Sequence, residues 1–94
     1  MLDFYTIRDD QAASARGLQL HLIGGIEEEE FEAAVAAGVI EPHLDYYGNF
    51  RWSSKLVNRK LTLLEKLNNK QFEKTVSILE QAKAAESGLI TRGD

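Results

Sequence analysis

Between Ser53 and Ala85 the apolar residues recur at helical spacing, and one pair of residues, Asn68-Asn69, interrupts them. Leu56, Val57, Leu61, Leu64 and Leu67 form a stripe on one helix, with Lys55, Arg59, Lys60 and Lys66 largely off it. Phe72, Val76, Leu79 and Ala82 form the face of a second, running from about Lys70 to Ala85. Ser53 or Ser54 caps the first, and Gly88 is expected to close the second. The apolar phase nearly survives the asparagines, so a single helix from Ser54 to Ala85 competes with a hairpin. A lone long helix would expose its seam and demand a partner. A hairpin buries its own stripe, and two asparagines make a turn, so a helical hairpin is the expectation.

The first half of the chain reads differently. Leu2–Ile7 is a strand by its aromatic and β-branched content. Arg8 to Gly17 is a polar connection, with room for one helical turn over Gln11–Arg16. Leu18–Ile23 alternates cleanly, with Leu18, Leu20 and Leu22 on the buried side, and Gly24-Gly25 ends it. Glu27–Ala37 is a helix whose first turn holds four glutamates, where carboxylates suit the dipole. Gly38 ends it in a left-handed cap and Pro42 blocks continuation. Leu44–Ser53 reads as a short hairpin turning at Gly48-Asn49, with a compact loop as its competitor. Residues 91–94 read as a frayed tail.

The expected fold is therefore α+β: a small sheet of two to four short antiparallel strands packed against about three helices, the last two forming a helical hairpin. Its expected core is Phe4, Leu20, Leu22, Phe31, Val35, Trp52, Leu56, Leu61, Leu64, Phe72, Val76 and Leu79. The 94 residues suffice for one domain, residues 1–94, with little apolar area to spare. There is no cysteine, which excludes disulfides, thiolate metal sites and thiol catalysis and leans toward a cytoplasmic setting. No apolar stretch approaches the roughly 20 residues a bilayer span needs, and the N-terminal residues lack the pattern of a signal peptide. No membrane role is expected.

Charge is segregated. Residues 1–50 carry ten acids and two bases, residues 51–74 seven bases and two acids, and the whole chain a net charge of -4. Two solvated helix faces of opposite sign are the simplest meaning. An acidic face also steers a basic partner, a basic helix can touch phosphate, and two copies can pair through the two.

Chemical motifs are sparse. Glu28 and Glu32 share a helix face, as do Glu27 and Glu30, but the Glu-x-x-His pairs of helical di-metal sites are missing. His21 falls on the polar side of a strand and His43 in a loop, and no Gly-x-Ser-x-Gly elbow occurs. Gly24-Gly25 precedes a helix, but the glutamates that follow would repel phosphate. The terminal Arg92-Gly93-Asp94 is too short to carry meaning. No cofactor, metal or catalytic residue is expected. An enzyme using His43, Asp45 or the Glu27–Glu32 cluster is the weakest of three readings.

Four of the eight aromatic residues lie between Tyr46 and Trp52. Tyr, Trp and Arg dominate binding hot spots, so Asp45, Tyr46, Tyr47, Asn49, Arg51 and Trp52 are the candidate partner-binding residues. Phe50 and Trp52 are more simply core plugs in a chain this short, and Arg51 can pair with Asp45. The leading expectation is a non-catalytic protein-binding module, such as an inhibitor or immunity-type partner of a basic protein, with a homodimer also in view. The alternative is nucleic-acid contact through the basic segment 51–74, using Arg51, Lys55, Arg59 and Lys60. The acidic remainder of the chain opposes it.

Overall fold

A computed structural model describes residues 1–12 and 20–93. Strand β1 (Leu2–Ile7) and strand β2 (His21–Ile26) precede helix α1 (Glu28–Ala36). Strand β3 (Arg51–Trp52) leads into helix α2 (Ser54–Leu67), a 3-10 turn (Lys70–Phe72), helix α3 (Glu73–Ala84) and strand β4 (Gly88–Gly93). The four strands make one antiparallel sheet in the order β2-β1-β4-β3. The fold is α+β, as the residue pattern implies.

The helical hairpin forms because Asn68 adopts the left-handed conformation (φ 46°) while its N–H still reaches the Leu64 carbonyl. Asparagine tolerates that conformation better than most residues. Asn69 then caps the 3-10 turn, its side chain accepting from the Gln71 N–H. At the other end of α2 the Ser53 hydroxyl accepts from the Leu56 N–H. Val57, Leu61 and Leu64 on α2 meet Phe72, Ile78, Leu79 and Ala82, and both helices cover the sheet face carrying Leu2, Phe4, Ile26 and Leu89.

Four expectations are corrected. First, Thr91–Gly93 are not a tail: β4 lies at the centre of the sheet, between β1 and β3, and Thr91 is 1% exposed. Its pairing with β1 is nonlocal and leaves little local pattern. Second, Gly24 and Gly25 lie within β2 rather than ending it. A Cβ on Gly24 would stand 3.0 Å from the Ile78 side chain, so a larger residue there would have to push Ile78 of α3 aside. The register with β1 skips Ile23, a bulge that shifts the alternation. Leu22 therefore faces away from the helices and is 55% exposed, Leu20 is half-buried, and Ile26 takes the core position. Leu18, and the expected turn at Gln11–Arg16 from residue 13 onward, lie outside the described residues.

Third, no hairpin forms over Leu44–Ser53. The Gly48 N–H closes a tight turn on the Asp45 carbonyl, the Asp45 side chain accepts from the Tyr47 N–H, and β3 pairs with β4 instead. The segment is the compact loop. Fourth, α3 is closed by Glu86 rather than Gly88. Glu86 (φ 54°) and Gly38 (φ 80°) occupy equivalent left-handed positions after α3 and α1. In both, the next residue's N–H reaches back five residues, Ser87 to Ala82 and Val39 to Ala34, which satisfies the last carbonyls.

Two aromatic groups stitch the layers. Phe4, Phe50 and Trp52 stack with centroids 5.3 to 6.5 Å apart. Phe31, Tyr46 and Tyr47 form a second run at 5.4 and 5.0 Å, both edge-on, the arrangement favoured by ring quadrupoles. Phe50 is partly buried and Trp52 fully buried, so both belong to the packing.

Candidate functional site

The six candidate binding residues do not converge on one surface. Trp52 and Tyr46 are buried in the core, and the Tyr46 hydroxyl donates to the Ile26 carbonyl at 3.2 Å. That burial, and the charges of Glu27 and Glu28 beyond it, raise the Tyr46 hydroxyl above its ordinary pKa. Arg51 alternates with Trp52 on β3 and so points to the other sheet face. Its guanidinium donates to the carbonyls of Arg8 (2.7 Å) and Asp9 (3.2 Å), not to Asp45. Asp9 in turn accepts the Ser54 N–H and hydroxyl, bonds that hold its carboxyl below the usual range. Arg51 thus ties the end of β1 to β3, and Asp9 ties it to the start of α2. Asn49 is exposed on the loop.

Asp45 and Tyr47 do converge, with residues of α1. Their groove, of about 360 Å³, has Phe31, Leu44 and Tyr46 as its floor and Glu28, Glu32 and Asp45 with Tyr47 at its rim. Tyr47 is 59% exposed, and its hydroxyl donates to Glu28 at 3.0 Å. That hydrogen bond, and then the Glu28 charge itself, raise the Tyr47 hydroxyl above its usual pKa. Among the described residues none of Glu28, Glu32 and Asp45 has an ion-pair partner: the two ion pairs present are Arg8–Asp10 and Lys60–Glu41. By residue pattern Glu28 and Glu32 share one helix face and Tyr47 falls in the expected 44–53 hairpin, but nothing local in the sequence signals that they meet.

The glutamate run is not uniform. Glu30 turns inward, and its carboxylate accepts from the Thr75 N–H at 2.9 Å and from the Thr75 hydroxyl at 2.5 Å. Thr75 is the third residue of α3, whose own N-cap, Phe72, offers no side-chain acceptor. Glu30 supplies the missing cap from another helix.

The four cations of the nucleic-acid alternative also divide. Lys60 is 7% exposed: its ammonium donates to the Val39 carbonyl at 2.6 Å and to Glu41, and lies 4.5 Å from the centroid of the Trp52 ring. The other Glu41 oxygen accepts from the Trp52 indole N–H at 3.2 Å. Burial pushes the Glu41 carboxyl upward, but the Lys60 bond and charge outweigh it and hold it below its ordinary value. With Lys60 sunk and Arg51 engaged, only Lys55 and Arg59 of the four stand exposed.

His21 and His43 are both exposed, and among the described residues His43 and Asp45 share no hydrogen bond. Within the same residues no three acidic or histidine side chains are grouped to hold a metal ion, and no helix is long and apolar enough to cross a membrane. In comparisons with known proteins the chain matches no family model, no curated protein and no solved structure.

Proposed function

We propose that the chain is a non-catalytic protein-binding module, of the inhibitor or immunity type, acting in the cytoplasm on a basic partner. The observation that carries this reading is the groove between α1 and the 44–47 loop. It combines an apolar floor with an exposed tyrosine and three carboxylates that have no cation beside them among the described residues. An arginine or lysine stem fits against Phe31 and Leu44 while its charge meets Glu28, Glu32 and Asp45, and Tyr47 offers a ring face to the cation. The negative first half of the chain draws such a partner in at a raised on-rate.

The test is capture from the producing cells after a mild crosslink, using the unmodified chain beside Tyr47→Ala and Glu28→Lys/Glu32→Lys. One stoichiometric basic protein, lost with both variants and at high salt, supports the reading. A partner retained by both variants places the site elsewhere.

A further inference from the structure

We infer that the chain pairs with a second copy of itself, the acidic end of α1 in each copy seated in a basic groove along α2 of the other. This goes beyond the reading above, because it needs no other protein.

The groove has a volume of about 550 Å³. Leu56, Arg59, Leu63 and Lys66 line it from α2, at steps of three, four and three residues that keep them on one helix face. Gly38, Val39 and Glu41, just beyond α1, form its opposite wall, where the Glu41 carboxylate is neutralised by Lys60. The core uses the neighbouring stripe of α2, Val57, Leu61 and Leu64, so Leu56 and Leu63 are left half-buried. Arg59 and Lys66 are exposed, and neither has an ion-pair partner among the described residues.

The occupant is read from charge and size. A second α2 would bring cations against cations. The exposed side of α1 carries Glu28, Glu29 and Glu32, followed by the small Ala36. It offers carboxylates to Arg59 and Lys66 and little bulk to the apolar strip between them.

The placement of the two patches favours a closed pair. The acidic turn opens α1 and the basic groove borders its far end, about 13 Å away for a nine-residue helix at its usual rise. A two-fold axis across α1 then sets each acidic turn over the other copy's groove. Both patches of both copies are consumed, so the contact closes at two rather than growing into a filament. The acidic turn cannot serve a basic partner and a second copy at once, so partner binding dissolves the pair.

Charge exchange tests this by sedimentation equilibrium at about 100 µM chain, where a micromolar pair is largely associated. Arg59→Glu/Lys66→Glu makes both patches acidic, and Glu28→Lys/Glu32→Lys makes both basic. All four positions are exposed, and circular dichroism confirms that each variant keeps its helices. At about 0.01 M salt, where the Debye length is about 30 Å, the unmodified chain is expected at twice the monomer mass. Each variant alone is expected as a monomer, with at least a tenfold weaker association, and their equimolar mixture returns to the dimer mass. In about 1 M salt the unmodified pair dissociates. A monomeric unmodified chain at low salt overturns the inference. So does a dimer that survives in either variant, or a mixture that stays monomeric. The Arg59→Glu/Lys66→Glu chain keeps Glu28, Glu32, Asp45 and Tyr47, so its binding of a basic peptide separately tests the earlier reading.

Discussion

The Tyr47 hydroxyl donates to Glu28 across nineteen positions of sequence, at 3.0 Å, and so fixes the exposed aromatic of the 44–47 loop against the acidic turn of α1. Tyr47 is thereby presented as a wall of the groove. The bond also sets its titration. Removing the phenolic proton beside a carboxylate is disfavoured, so Tyr47 ionises above the ordinary 10.0. Glu28→Gln should bring it back toward that value, read by the ultraviolet absorbance of tyrosinate. An unchanged titration would mean that the carboxylate does not control it.

Lys60 and Glu41 make stability sensitive to acid. The carboxyl of Glu41 lies lower in the fold than its ordinary 4.5, so the unfolded chain binds the proton more readily. The contribution is therefore fully present above pH 4.5 and is lost as pH falls through the folded value. Glu41→Gln leaves the Lys60 ammonium buried without a counter-charge. It should cost about 2 kcal/mol at neutral pH, less than a fully buried pair because Glu41 keeps part of its side chain in water. Urea unfolding at pH 7 and pH 3 checks both: the gap between variant and parent should narrow in acid. A gap independent of pH would contradict the account.

Adjacent glutamates should behave unlike one another. Glu30→Ala removes the cap of α3 and leaves the buried Thr75 hydroxyl and N–H without an acceptor, a loss of about 1–2 kcal/mol. Glu29→Ala, one residue away and exposed, should change stability by less than about 0.5 kcal/mol. Chemical denaturation of the two variants decides it, and equal losses would contradict the capping role.

The two left-handed helix ends predict opposite signs. Glu86 holds a φ of 54°, which costs a side-chain-bearing residue about 1 kcal/mol, so Glu86→Gly should raise the melting temperature. Gly38→Ala should lower it by a similar free energy, about 1 kcal/mol, since a Cβ there meets nothing within 4 Å and only the backbone conformation resists it. Thermal unfolding of both checks the pair.

The helices and the hairpin between them were legible because their signals are local: a stripe at 3.6-residue spacing, a serine cap, two asparagines. β4 was not, because Leu89-Ile90-Thr91 is too short to show a period and owes its burial to pairing with β1, at the far end of the sequence. Leu22 was misplaced by one bulged residue, since a shift of one exchanges the two sheet faces. Of the site, Asp45 and Tyr47 stood out by residue type. Their partners on α1 did not, because the Glu run looked like plain dipole matching, whereas the fold turns Glu28 to Tyr47 and Glu30 to Thr75. Trp52 belongs to the expected core as well as to the binding candidates, and its burial decides for the core, whereas Lys60 reads as a surface cation because a sequence does not show that an ammonium will lie over an indole beside a carboxylate.

Titration of the isotope-labelled chain with a hexaarginine peptide, followed through backbone amide resonances, tests whether the α1–loop groove takes a basic side chain. Salt-sensitive shifts are expected to cluster at Glu28, Glu32 and Asp45–Tyr47 and to be abolished by Glu28→Lys/Glu32→Lys. Shifts scattered over Asp3, Asp10 and the other surface acids, or none at this groove, would contradict it.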